Sequence, residues 1–239
     1  MNAIDTPWHR GPLASYDCET SGINTSRDRI VSAALVHTDG AVTRWLSDAD
    51  GVEIPEAASR VHGITTDHAR AHGRPAKQVV DEIADAVAGE MAARGAALVV
   101  MNAPFDLTLL NAECARHGVP TVAARLGTEL APVVDPLVMD RAADRYRRGK
   151  RTLEALAAHY GVPLTDAHTA DADATAALLV ARAIGEKYPA LQVPAGLLHA
   201  WQIGWHERWA SDYAAHLKKS GKAAEIDGSW PQRPVGNEA

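Results

Sequence analysis

Apolar positions along the chain fall into two periods, and the change between them divides it into elements. Leu13 to Tyr16, Arg29 to His37 and Ala41 to Leu46 are short runs rich in β-branched and aliphatic residues. The polar stretch Ser21 to Asp28 and the turn dipeptide Asp39-Gly40 separate them, so the spacing predicts three antiparallel strands. Ile54 to Thr65 reads as a loop or a broken helix. From Pro75 to Arg94 the period becomes helical: Val80, Ile83, Val87 and Met91 recur three and four residues apart, and Gly95 follows as a stop. Ala96 to Met101 is continuously apolar, as a parallel strand buried on both faces would be.

A helix is expected over Phe105 to His117, closed by Gly118, then a short strand at Val133-Val134-Asp135 with Pro136 placed to open another helix. Thr152 to Tyr160, with Thr152 as cap and Gly161 and Pro163 beyond, and Ala170 to Tyr188, stopped by Pro189, complete the helical set. The pattern predicts an α/β fold with a mixed five-stranded sheet, three antiparallel strands then parallel ones, and helices on both faces. Past Pro194 the character shifts. Trp201, Trp205, Trp209, Tyr213 and Leu217 recur every four residues, which predicts a Trp-rich C-terminal helix packing its aromatic face on the domain, a partner surface or base-stacking platform being the lesser reading. From Gly228 onward there are too many prolines and polar residues for a packed element. The expected division is a domain over 11–190 and a helix with tail packed on it over 191–239.

Composition narrows the function. The 239 residues are 46% apolar and 23% charged, enough for one sizeable core. A net charge of −6 excludes a whole-molecule basic field that would hold a long duplex, so any nucleic-acid contact must be local. Cys18 and Cys114 form no metal or disulfide spacing and read as buried thiols in a reducing compartment. No segment resembles a leader or a membrane span, and a cytoplasmic location is expected.

The chemistry-bearing stretch is Tyr16-Asp17-Cys18-Glu19-Thr20-Ser21-Gly22. Asp17 and Glu19, two apart on a strand, share one face, and paired carboxylates at that distance need water or a divalent cation between them. Asp106, opening a helix after the fourth strand, and Asp173, in the first turn of a later helix, complete four acids at the carboxyl ends of strands, where α/β folds place ligands. Oxygen-only ligands suit magnesium or manganese, and four convergent acids suit a two-ion site acting on phosphate esters. His168, five residues before Asp173, is placed to take a proton from water.

Duller readings stand beside some of these residues. Asp135 and Asp140 read first as structural caps and second as an extension of the acidic cluster. The run Arg141, Arg145, Arg147, Arg148, Lys150 and Arg151 reads first as a solvated helix end and second as a contact for a single-stranded phosphate backbone. His62, His68 and His72 lack a fourth ligand at zinc spacing. Asp171 competes with Asp173, and the five-residue spacing from His168 favours Asp173. No G-x-G-x-x-G follows the first strand, which disfavours a dinucleotide enzyme.

Tyr16 to Gly22, Asn102-Ala103-Pro104-Phe105-Asp106 and His168-x4-Asp173 together resemble the three exonuclease motifs of the DEDDh family, which includes the epsilon proofreading subunit of bacterial DNA polymerase III. Val61-His62-Gly63-Ile64-Thr65 resembles the His-Gly-Ile-Thr element between the first two motifs. The similarity covers about Leu13 to Ala183. It implies a ribonuclease H-like fold and release of nucleoside monophosphates from the 3′ end of single-stranded DNA. By the same resemblance Asp17 bridges two divalent cations, Mg2+ or Mn2+, Glu19 and Asp173 complete the tighter site, Asp106 holds the second ion partly through water, and His168 is the general base. Thr20, Ser21, Gly22, His62, Ile64, Asn102 and Phe105 would lie on the substrate side. Met101 departs from the pattern, since relatives commonly place a histidine there. No clamp-binding peptide or long flexible linker is evident, so a polymerase partner is left open, as is the oligomeric state. Two alternatives remain: an exoribonuclease trimming RNA 3′ ends, and a non-catalytic nucleic-acid-binding or partner-binding module.

Overall fold

A computed structural model describes residues 6–165, 167–222 and 226–234. The sheet is built on β1 (Leu13–Thr20), which pairs antiparallel with β2 (Ile30–Val36) and parallel with β4 (Ala97–Val99). β3 (Val42–Leu46) adds antiparallel to β2, and β5 (Val133–Val134) adds parallel to β4, giving the order β3-β2-β1-β4-β5. This is the mixed sheet expected from the apolar runs. β1 is longer than its apolar run suggested: Asp17, Cys18 and Glu19 stay paired with Ala34, Ala33 and Ser32, and the register shifts only between Glu19 and Thr20. The backbone ladder to β2 carries those polar residues beyond the point where burial of side chains would.

Alternation along β1 assigns its side chains to two separate cores. Ala14, Tyr16 and Cys18 enter a cluster covered by α3 (Ala76–Arg94) and α4 (Ala103–His117). Leu13 points to the other face, with Val99, Val134 and the helices α6 (Pro136–Ala143), α7 (Leu153–Tyr160) and α8 (Ala170–Lys187). α8 lies across β1 and β2, so the odd-numbered face of β1 runs beneath it. On α3 the predicted stripe is the buried one: Val80, Ile83 and Val87 are at most 1% exposed, and full burial of such side chains contributes roughly 1.5–3 kcal/mol each.

Over Ile54 to Thr65 the broken helix is the expectation that holds, and two other regions differ from the sequence expectation. Ile54 to Thr65 holds α1 (Glu56–His62), ended by left-handed Gly63, and Thr65 then caps α2 (Thr66–His72) by accepting from the His68 amide at 3.1 Å. A short α5 (Val122–Leu126), capped by Thr121, packs on α3 where no helix was expected. The C-terminal α9 (Ala195–Lys219) forms, but its fully buried stripe is Leu198, Gln202, His206 and Ala210, one residue on from the tryptophans. Trp201 and Trp205 are only partly buried against the core, and Tyr213 is exposed. An amide occupies this inward stripe because it meets polar partners: Gln202 bridges the Val133 carbonyl (3.0 Å) and the Asp135 amide (2.7 Å) of the β5 edge. Beyond α9 no regular element forms in residues 226–234, yet Trp230 is buried in the main core. Among the described residues no helix is long and apolar enough to cross a membrane.

Candidate active site

The site lies where β1 outruns its neighbour. β4 ends its pairing with β1 at Ser15, so from Tyr16 onward that edge of β1 has no strand beside it. The start of α4 takes the place of the missing strand, and Asp106 Oδ1 accepts from the Cys18 amide and from its thiol, both at 3.2 Å. Cys18 is buried, as expected, but its service to Asp106 was not foreseen, because nothing in the spacing links position 18 to position 106.

On the odd face, oxygen atoms of Asp17, Glu19 and Asp173 lie within 4.8 Å of one another. Asp106 does not join them at that distance, but its charge acts on Asp17. Burial, then Asp106, Asp173 and Glu19, push the Asp17 carboxyl well above the ordinary carboxylate range. Glu19 is raised to about 7 by burial and by the charges of Asp173 and Asp106. Asp106, 5% exposed, is raised to about 7 by burial, against the opposing effect of the Cys18 donors. Asp173 is raised by burial, and its Oδ1 is buried without a hydrogen-bond partner among the described residues. A group of acids that repel one another, with one oxygen unpartnered, is the donor set a hard divalent cation would satisfy.

His168 precedes α8 in a left-handed conformation (φ 70°), and its amide donates to Asp173 Oδ2 at 3.3 Å. Its exposed ring stands with Nε2 3.4 Å from Glu154 Oε1 on α7, a partner that the sequence does not announce. Asp171 is drawn away from the cluster: Arg44 of β3 donates to its Oδ2 through Nε at 2.9 Å and Nη2 at 2.6 Å.

The remaining candidates divide by what they touch. Thr20 donates to the Gly22 carbonyl at 2.7 Å. Ser21 is buried, donating to Asp28 Oδ1 at 3.2 Å and accepting from the Arg29 amide at 2.9 Å, so its hydroxyl organises the loop. At Gly22 a Cβ would sit 2.5 Å from the Asp28 carboxylate, which explains the glycine. His62 is buried against the Thr20 backbone, accepts from the Ile64 amide at 3.2 Å, and is held below its ordinary pKa by burial. Ile64 packs beside Val31, Ile54 and Ala69. Asn102 adopts a left-handed conformation (φ 59°) with its side chain exposed, and Phe105 is half-buried one turn into α4. Met101 packs partly buried on the α8 side of the sheet.

Asp135 is the structural cap expected, whereas Asp140 lies inside α6 and anchors an ion-pair network instead of capping. Asp135 is fully buried and accepts from the amides of Asn102 (3.0 Å), Ala103 (3.0 Å) and Leu137 (2.9 Å) and from Trp230 Nε1 (3.3 Å). One carboxylate thus caps the starts of α4 and α6 and ties down the C-terminal segment. Asp140 meets Arg147, Arg151 and the Tyr160 hydroxyl.

Residues 15–181 match the RNase T exonuclease family. The chain belongs to that family. Among relatives of this RNase T exonuclease chain, the PolC-type DNA polymerase III of Streptococcus thermophilus is 31% identical over 170 residues, which is 69% of this chain and 10% of the relative. That of Streptococcus agalactiae is 28% identical over 184 residues, covering 74% of this chain and 11% of the relative. The chain therefore spans about a tenth of the length of these curated relatives. Among solved structures, exonuclease I from Methylocaldum szegediense superimposes with a TM-score of 0.65 at 22% identity, over 83% of this chain and 46% of that one. E. coli exonuclease I in complex with a dT13 oligonucleotide gives 0.62 at 21% identity, over 76% and 42%. The shared architecture is the ribonuclease H-like fold.

Proposed function

We propose that this exonuclease is of the DEDDh type and removes nucleoside monophosphates from the 3′ end of single-stranded DNA. The observation that carries the reading is the convergence of Asp17, Glu19 and Asp173 oxygens within 4.8 Å, with Asp106 close enough to act on Asp17. These four carboxylates would hold two divalent cations, Mg2+ or Mn2+. When bound, such ions offset charge on the attacking and leaving oxygens of a phosphodiester. His168 accepts the proton of the attacking water, with Glu154 beside Nε2 to orient the ring and the Asp173 contact holding its backbone. The exposed side chain of Asn102, Phe105, and His62 behind Thr20 would border the terminal nucleotide, while Ser21 and Gly22 shape the loop that receives it. Single-stranded DNA as substrate is supported by the oligonucleotide complex of exonuclease I and by the polymerase context of the PolC-type relatives.

The test is degradation of a 5′-labelled single strand in Mg2+ or Mn2+. The expected result is stepwise shortening by the wild type, none by Asp17→Asn, and a rate lowered roughly 10²–10⁴-fold by His168→Ala. Equal degradation by wild type and Asp17→Asn would overturn the proposal. A matched RNA strand in the same assay decides the sugar preference.

A further inference from the structure

The basic residues around the end of α6 do two different jobs. Arg147 and Arg151 turn inward to the buried Asp140 carboxylate, and Arg151 also donates to the Asp140 and Asp144 carbonyls at 3.0 and 2.6 Å. Arg141 has no such partner. It is half-buried and forms no hydrogen bond or ion pair with any described residue, and its guanidinium lies 3.7 Å from the centroid of the Trp209 ring. Burial pulls its pKa down to about 10, even with Asp135 and Asp140 at longer range. Desolvating a cation with no anion beside it is costly, and a bound anion removes that cost.

Arg141 opens into a groove of about 260 Å³ between α6 and α9, lined also by Arg145, Trp205, His206, Arg208 and Trp209. His206 Nδ1 is buried there without a hydrogen-bond partner among the described residues. Asp212, the one acid on the lining, is engaged by Arg145 at 3.0 Å. Trp209 stacks on Tyr213 with an interplanar angle of 14° while Arg141 covers it, so the ring serves as a support for the guanidinium.

We propose that this groove seats a phosphate of the single-stranded substrate, several nucleotides upstream of the 3′ end being cut. The proposal rests on the exonuclease reading and extends it to the rest of the strand. Chain connectivity supplies the path. The segment from Arg145 to Lys150 leads from the groove to α7, whose Glu154 touches His168 at the acid cluster. Along it Arg148 and Lys150 are exposed and form no ion pair among the described residues. Tyr146 is 88% exposed, with the Arg145 guanidinium 6.0 Å from its ring centroid. Cations interleaved with a free aromatic ring suit phosphates and bases better than they suit an acidic peptide, which offers nothing to stack.

The experiment is equilibrium binding, by fluorescence anisotropy, of labelled DNA strands of about 4 and about 20 nucleotides to the full chain carrying Asp17→Asn, across a salt series. Adding Arg141→Gln is expected to weaken the long strand about 5–10-fold and to lower its salt slope by about 0.7 for each phosphate no longer neutralised, leaving the short strand unchanged. The exposed pair Arg145→Gln and Arg148→Gln repeats the test without disturbing the Trp209 stack. Equal binding of the long strand by Asp17→Asn chains with and without these changes overturns the groove, even where the wild type degrades DNA. Loss of affinity for a glutamate-rich peptide in place of the oligonucleotide also overturns it, by assigning the groove to a protein partner. A groove effect on binding without turnover by the wild type would keep the groove and sink the exonuclease reading.

Discussion

Replacing Asp135 with alanine offers a direct measure of how the site is held. The carboxylate is fully buried and receives four N–H groups, three from the starts of α4 and α6 and one from Trp230. Each buried donor left without an acceptor costs about 1–3 kcal/mol, and losing a helix cap costs about 0.5–2 kcal/mol. Opposing these, burial alone pushes the Asp135 carboxyl above its ordinary pKa, so its removal also relieves a desolvation penalty. The balance is a loss of about 3 kcal/mol, at the lower end of what breaking a buried charged network costs. Asp135→Asn keeps one acceptor oxygen but turns an NH₂ toward donors, and is expected to lose about 2 kcal/mol. Urea denaturation followed by circular dichroism reads both. A loss under about 1 kcal/mol for Asp135→Ala would refute the reasoning, because it would mean that the four donors find other acceptors at little cost.

The acid cluster and the amino-terminal turn each offer a further test. Glu19 has its carboxyl at about 7 in the fold against an ordinary 4.5, so in that window the folded state binds more protons than the unfolded one and stability falls as pH rises. In EDTA, Glu19→Gln is therefore expected to melt above the wild type beyond pH about 7, with the difference vanishing below about 4.5 and reversing sign when Mn2+ is added; a difference independent of pH would contradict it. At Gly185 a Cβ would lie 2.6 Å from His9 Cβ and 3.0 Å from Trp8 Cζ2, so Gly185→Ala is expected to cost about 1–3 kcal/mol in thermal melting. An unchanged melting temperature would show that the turn at Trp8–Arg10 moves aside freely.

Much of this arrangement was legible in the sequence because it is local. The period of Val80, Ile83 and Val87 is written in neighbouring residues, and so are the Thr152 cap and the alternation that puts Asp17 and Glu19 on one face. The spacing from His168 separated Asp173 from Asp171, and the reason appears only in space, where Arg44 holds Asp171 back. Contacts between distant parts of the chain were hidden. No pattern at position 18 announces that its amide will meet Asp106, and no pattern around Trp230 announces that its indole will reach Asp135. The stripe on α9 was misjudged by one residue because hydrophobicity was taken as the guide to burial, whereas Gln202 is buried to satisfy the backbone of β5.

The pleat of β1 carries a last consequence. Since one face of that strand feeds the α3 and α4 core and the other feeds the acids under α8, a change of its length disturbs both faces at once. A single codon inserted between Leu13 and Tyr16 would turn the carboxylates into the oily side and bring Tyr16 and Cys18 to the acid face. Drift among natural variants should therefore leave this strand's residue count untouched.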